Sequence, residues 1–404
     1  MPKPKKLRNI IIRYILNSNA DKAIEAEVWI EGNFAGRASS PAAILPGKRE
    51  RKFTSVNDES IIQEASRILD EILINKVETQ EEVDSQLSAV TGQVGTDITL
   101  AVSLAYARAV AASENIDLEQ YIFELIYSID RTVLRKKPII LIPVFSGGVH
   151  QKGDLSSFQQ VMVGICEETL MKSYKVSKEI SSLAEKRLFK ENLYGGIASS
   201  GGFVTLRLST EDKLDLAKDI IRTCNAENNI ILAVDIAAEH LKKDNGYMLD
   251  DHLYSSNEFY LYIKSLIDNF NINYVEDPFD TDDPLFWKQL RKDSGRNKQI
   301  IGDDLFATQR KYIDSQMASG AVVKMNQVGN LSDTLKMVQL LHNQKMSICV
   351  SHRSYETEDT GMCDLATAIG AEYIKIGGVK RGERIIKYNQ LLRLEKKWRA
   401  DING

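Results

Sequence analysis

Three acidic positions invite a chemical reading because of what precedes them. Val234 is followed by Asp235, Val275 by Glu276 and Asp277, and Gly302 by Asp303 and Asp304; each acid ends a short apolar run. If those runs are neighbouring parallel strands of a closed barrel, their C-terminal ends share one rim and the carboxylates converge there. Like charges gathered in that way repel unless a cation sits among them. Hard oxygen donors with no thiolate or paired imidazole suit Mg²⁺ better than zinc. The plainer alternative is that strand ends are polar where they meet water.

Cations end the runs that follow. Ala321-Val-Val323 leads into Lys324, Met346-Ser-Ile-Cys-Val350 into Ser351-His352-Arg353-Ser354, and Glu372-Tyr-Ile374 into Lys375. A lysine desolvated in a barrel beside a divalent ion is expected to have a lowered pKa and to serve as a base. The Arg353 fork fits phosphate or carboxylate. A coherent chemistry follows: the metal and Lys375 hold a carboxylate, Lys324 removes the adjacent carbon-bound proton, and the metal stabilises the resulting dianion. Salt bridges within the acidic ring are the competing reading of each cation.

Such residues need a frame, and the sequence supplies one. Leu7 to Leu16, Ala23 to Glu31 and Phe34 to Ser39 read as three short strands, with a tight hairpin turn at Gly32-Asn33. From about Glu59 to Ile126 the apolar spacing is helical, as in Ile61, Ala65, Ile68, Leu69 and Ile72, and one helix runs from about Thr96 to Glu114. Strands followed by helices predict an α+β module. Beyond about Lys137 apolar runs alternate with helical stretches, beginning with Ile139–Pro143 and Ile230–Val234. Runs apolar on both faces predict buried parallel strands of a β/α barrel. An open doubly wound sheet is the competitor, and no glycine-rich phosphate fingerprint supports it. The expected division is an α+β domain over 1–135 and a barrel over 136–404.

Composition narrows the function classes. The 404 residues carry a net charge of −4, which argues against a general nucleic-acid binder. No apolar run reaches the roughly 18 residues of a membrane span, and no signal-peptide pattern opens the chain, so the expected location is the cytoplasm. Cys166, Cys224, Cys349 and Cys363 are widely spaced and read as reduced thiols.

Longer strings resemble one family. Val275-Glu-Asp-Pro-Phe-Asp280, Gly302-Asp-Asp-Leu305, Val323-Lys-Met-Asn-Gln-Val-Gly-Asn-Leu331, Val350-Ser-His-Arg-Ser-Tyr-Glu-Thr-Glu-Asp-Thr360 and Ile374-Lys-Ile-Gly377 look like the enolase motifs. Gly95-Thr-Asp-Ile-Thr-Leu-Ala-Val-Ser-Leu-Ala105 is similar to that family's N-terminal helix. The resemblance implies the enolase fold, an α/β architecture in which an α+β cap domain precedes a TIM-like β/α barrel. It also implies a homodimer or an assembly of dimers. The implied activity is the Mg²⁺-dependent, glycolytic interconversion of 2-phosphoglycerate and phosphoenolpyruvate, with a small phosphorylated carboxylate as partner and no nucleic acid or membrane. Carried over motif by motif, Asp235, Glu276 and Asp303 are metal ligands, Lys324 is the base and Lys375 the substrate lysine. Arg353 and Ser354 bind phosphate with His352 beside them, and His150 of Ser146-Gly-Gly-Val-His150 matches the histidine of the NGGxHAG loop.

The departures fall on the other half of the reaction. Where the family has GDEGG this chain has Ala198-Ser-Ser-Gly-Gly202, which puts Ser200 at the position of the acid glutamate. Where the family's QEFM carries the second glutamate of that acid pair, this chain has Gln159-Gln-Val-Met162, with Gln160 in its place and as a substrate contact. The PSGASTG loop has become Pro41-Ala-Ala-Ile-Leu-Pro-Gly47, with Leu45 at the metal-binding serine, and DSRGNPT has become Asn17-Ser-Asn-Ala-Asp-Lys22. A serine or glutamine does not protonate a leaving hydroxide at neutral pH, and general acid catalysis contributes about 10² to 10⁴ in rate. Three readings stay open. One is a working enolase, of reduced activity, in which another acid substitutes, with Asp154 as the candidate. Another is a relative acting on a different small carboxylate or phosphate. The third is a non-catalytic binding or structural paralogue.

Overall fold

The computed structural model describes residues 3–41, 47–50, 59–148, 157–224, 227–295 and 297–403. The cap begins with an antiparallel sheet of β1 (Leu7–Leu16), β2 (Lys22–Ile30) and β3 (Phe34–Ser40) in sequence order. Its inner face, including Ile10, Ile24, Ala26 and Val28, is buried. Four helices follow, α1 (Glu59–Leu73), α2 (Gln80–Val94), α3 (Thr96–Ser113) and α4 (Leu118–Ile129). Thr79 and Glu82 close a reciprocal capping box at the start of α2 and fix its first turn. The long α3 is buried nearly all round and lies on the sheet so closely that a side chain on Gly36 of β3 would meet the Ala105 carbonyl at 2.0 Å. Arg108 of α3 reaches across to the barrel module, donating to both oxygens of Asp359 at 2.6 and 2.8 Å.

The second module opens with β4 (Ile139–Ser146), β5 (Gln160–Ile165), α5 (Leu170–Lys190), the hairpin β6 (Tyr194–Ile197) and β7 (Phe203–Thr205), α6 (Thr210–Thr223) and β8 (Ile230–Asp235). A short helix α7 (Ala238–Leu241) and a small sheet of β9 (Lys242–Lys243), β10 (Gly246–Leu249) and β11 (His252–Tyr254) precede α8 (Ser256–Phe270). Then come β12 (Tyr274–Glu276), α9 (Pro284–Asp293), β13 (Gln299–Gly302), β14 (Gly320–Val323), α10 (Met325–Val328), α11 (Leu331–Asn343), β15 (Ser347–Ser351), α12 (Gly361–Ala368), β16 (Tyr373–Lys375) and α13 (Gly382–Asn403). Strands β4, β5, β8 and β12 to β16 are paired in that order, and β16 pairs back to β4, so the barrel is closed.

The predicted alternation of strand and helix holds from β8 onward except between β13 and β14, which no α-helix separates. It fails at the start, where β5 runs antiparallel to both β4 and β8. That strand was not among the expected ones. A short apolar run gives no direction, and only a parallel return needs a long crossover.

The barrel interior is filled by one side chain from each strand: Leu141, Met162, Ala233, Tyr274, Ile301, Val322, Cys349 and Tyr373. This buried layer decides what stands at the mouth. Side chains two residues apart on a strand share a face. Two residues beyond the layer come Asp235, Glu276, Asp303, Lys324, Ser351 and Lys375, and on the reversed β5 the equivalent residue is Gln160. Among the described residues no helix is long and apolar enough to cross a membrane.

Candidate active site

At the mouth the acids and amines alternate. Lys375 Nζ donates to Asp235 Oδ2 at 3.0 Å and to Glu276 Oε1 at 2.6 Å, and all three side chains are buried. Tyr274 donates its hydroxyl to the other Glu276 oxygen at 2.8 Å, and Gln159 Nε2 donates to Asp235 Oδ2 at 3.2 Å. Lys324 forms a short ion pair with Asp303 Oδ2. The second Asp303 oxygen, Oδ1, is buried without a hydrogen-bond partner among the described residues.

Asp277 and Asp304, adjacent to the predicted acids, play a different part. Asp277 has a left-handed backbone at φ 43° and accepts the backbone N–H groups of Asp303 and Asp304 at 2.9 and 2.8 Å. It thereby fixes the turn that presents Asp303. Single ligand atoms of Asp277, Asp303 and Asp304 lie within 4.8 Å of one another, so the tightest acidic trio differs from the predicted one. Asp235, Glu276 and Asp303 nevertheless stand on the adjacent ends of β8, β12 and β13. Oxygen donors alone, one of them an orphaned buried carboxylate oxygen, make a set that fits Mg²⁺.

Lys324 is raised: burial opposes its charge, yet Asp303, helped by Glu50 and Asp304, outweighs burial; the lowering expected from the sequence is that of an amine beside a divalent cation. Lys375 is raised well above its ordinary range in the same way, by Asp235 and Glu276 against burial. Glu276 is pushed up to about 8 by burial first, then by the charges of Asp235 and Asp303, with Lys375 pulling against them. Asp303 is held below the usual carboxylate range because Lys324 and Lys375 overcome its desolvation.

The loop after β15 carries the next group. His352 is buried, its backbone N–H donates to the Lys375 carbonyl at 2.9 Å, and Nδ1 has no partner among the described residues. Burial, with Arg384 nearby, pushes its imidazole well below the normal range, so it is neutral at physiological pH. Arg353 is buried and gives two parallel hydrogen bonds to Glu50, at 3.0 and 2.7 Å. Ser354 is half-buried, and its carbonyl accepts from Arg384 at 2.9 Å. Arg384, fully buried, also donates to the carbonyls of Arg353 at 3.1 Å and Ser199 at 2.9 Å. It therefore ties the β15 loop to the turn that carries Ser200.

Ser200 is fully buried and its hydroxyl lies 3.0 Å from that of Ser146 at the end of β4. Space there is tight. Gly377 has φ +99°, and a side chain on it would meet the Ser200 carbonyl at 2.5 Å. Gln160 is buried, stands opposite Ser146 on β4 and Asp235 on β8, and leaves its Oε1 without a partner among the described residues. The two substituted positions thus flank one another across Ser146. His150, Leu45 and Asp154 lie outside the described residues. Glu50, Ser146, Gln159, Gln327 and Arg384 were not anticipated at the site. Gln159, Ser146, Gln327 and Arg384 lie inside or beside strings that resemble the family, so each carried a signal in sequence; Glu50 carried none.

The geometry is that of a barrel whose rim gathers acids and lysines from adjacent strands under a cap. The enolase C-terminal TIM-barrel domain matches residues 135–402 and the enolase N-terminal domain residues 7–122. Enolases of Ehrlichia ruminantium, from strains Gardel and Welgevonden, are each 31% identical over 412 residues, covering 97% of this chain and 96% of theirs. The chain belongs to the enolase family.

Proposed function

We propose that this chain is an enolase-type Mg²⁺-dependent lyase that interconverts 2-phosphoglycerate and phosphoenolpyruvate, slowly for want of its general acid. Family membership supports a lyase of the enolase type that takes a phosphorylated carboxylate, with a divalent metal. The observation that carries the finer reading is the pairing of Lys324 with Asp303 beside Lys375, clamped by Asp235 and Glu276. Asp235, Glu276 and Asp303 would hold Mg²⁺, which when bound supplies positive charge for the substrate carboxylate and the enolate derived from it.

The protein's own groups do the rest. Lys375 binds the substrate carboxylate and keeps its charge throughout. Lys324 takes the C2 proton at Nζ, and for that it must be neutral. Asp303 is the partner that raises it, and a cation held by that carboxylate would offset its charge and lower the amine toward the range of a base. Arg353 and Ser354 receive the phosphate, with neutral His352 beside them. On the opposite side Ser200 and Gln160 offer no proton of suitable acidity, so expulsion of hydroxide is the slow step. The same substitutions favour a second reading, an enolate-forming enzyme for a substrate that loses no hydroxide. Homodimeric assembly, a cytoplasmic setting and a place in glycolysis belong to this proposal as well.

The test is direct. Purified protein with 2-phosphoglycerate and Mg²⁺ should form phosphoenolpyruvate at a rate roughly 10² to 10⁴ below that of a family member with both glutamates, and Lys324→Ala should abolish it. Full enolase turnover would refute the loss of the acid. Turnover untouched in Lys324→Ala would refute the assigned base.

A further inference from the structure

Arg353 is already occupied. Its two terminal nitrogens donate in parallel to the two oxygens of Glu50, at 3.0 and 2.7 Å. This is the fork-to-fork arrangement that a guanidinium offers to a carboxylate or a phosphate. The side chains are 4% and 2% exposed, so water has little share in the pair. Gln327 Nε2 adds a third donor to Glu50 Oε1 at 3.0 Å, and Thr308 in turn donates to Gln327 Oε1 at 2.5 Å.

Glu50 does not arrive there loosely. Its segment is seated on the barrel rim on both sides. Lys48 pairs with Asp280 at 3.0 Å, and its backbone N–H donates to Glu239 at 3.2 Å. Arg49 donates to the carbonyls of Leu305 at 2.6 Å and Thr281 at 3.1 Å and stacks over Tyr312 at 4.5 Å. Gln309 holds the Arg49 carbonyl, and Gly47 lies so near Asp304 that a side chain would meet its Oδ1 at 2.5 Å. Despite its burial, Arg353 and Lys324 keep the Glu50 carboxyl below the ordinary range, so it remains a carboxylate.

We propose that Glu50 is a built-in occupant of the Arg353 anion seat and sets the specificity of the site, because any phosphate-bearing ligand must displace its carboxylate. The inference rests on reading Arg353 as the phosphate seat. Glu50 takes one hydrogen from each terminal nitrogen, and a phosphate placed on the donors left over would sit against that buried negative charge. The free protein is therefore mostly in a form that does not accept phosphate, and its apparent affinity is reduced by the fraction in which the fork is open. Ligands with a single weak anion lose most, because the whole displacement falls on that one contact.

Calorimetric titration of the full-length chain with inorganic phosphate tests this, using wild type, Glu50→Gln and Arg353→Met. Glu50→Gln keeps the shape and removes the charge, and it should bind phosphate about tenfold more tightly than wild type. Arg353→Met should lose binding. If Glu50→Gln binds as wild type or more weakly while Arg353→Met binds nothing, Glu50 orients the arginine rather than occupying it, and the proposal fails. If Arg353→Met binds phosphate like wild type, the seat itself is misassigned and the proposal falls with it. Glu50→Ala gives an independent readout: phosphate should raise its melting temperature at lower concentrations than it does for wild type, and an identical dependence would count against the proposal.

Discussion

Gln160→Glu restores one lost carboxyl without changing side-chain size, and the structure allows its effect to be worked out. Gln160 is 3% exposed and pairs directly with Asp235 on β8. Directly opposed residues have Cβ atoms about 5 Å apart. At that separation and an effective dielectric near 20, two carboxylate charges repel by roughly 3 kcal/mol, about two pKa units. Burial pushes the same way, and Lys375 on Asp235 offsets part of the effect. The new carboxyl should thus hold its proton to higher pH than a free glutamate, the direction a general acid needs. Phosphoenolpyruvate formation, followed by its ultraviolet absorbance, should rise about 10²-fold and decline with rising pH as the new carboxyl loses its proton. An unchanged rate in a variant that melts within a few degrees of wild type would show that the missing acid is not what limits the reaction.

Two further perturbations probe the frame. Asp364 in α12 is pushed up to about 7 by burial, with Asp359 adding to the effect and Arg108 and Gln390 opposing it. A raised carboxyl binds its proton more tightly folded than unfolded, so stability falls as pH rises from about 4 to 7 and the full cost remains above that. Asp364→Asn should therefore stabilise the chain by up to roughly 4 kcal/mol in urea unfolding at pH 8, with the gain vanishing near pH 4; a constant difference would contradict the assignment. Gly377→Ala forces a side chain to within 2.5 Å of the Ser200 carbonyl at φ +99°. It should cost roughly 2 to 4 kcal/mol, measured by denaturant unfolding, and a cost under about 0.5 kcal/mol would mean that the turn carrying Ser200 is slack.

Much of the site was legible because it follows from a two-residue period. Once Ile301 or Tyr373 is an interior strand residue, the residue two places on must stand at the mouth, and the acid-ended and lysine-ended runs announce themselves. Strand direction was not legible, which is why β5 escaped notice and why Gln160 reaches the rim from the opposite end of its strand. Partners distant in sequence were not legible either. Glu50 and Arg353 meet across 303 positions, and nothing in the residues around Glu50 marks it as a buried acid. The pairing of Lys324 was another such case: its burial was foreseeable, but the closeness of Asp303, which outweighs burial, was a matter of geometry.

The account stands on Lys324 as the group that takes a proton from carbon. The most direct measurement is exchange of the 2-phosphoglycerate C2 hydrogen with solvent deuterium in the presence of Mg²⁺, followed by proton magnetic resonance. The wild-type chain should exchange that hydrogen faster than it forms phosphoenolpyruvate, and Lys324→Ala should not exchange it at all. No exchange by the wild-type chain with substrate and Mg²⁺ at saturation, or equal exchange by both proteins, would contradict it.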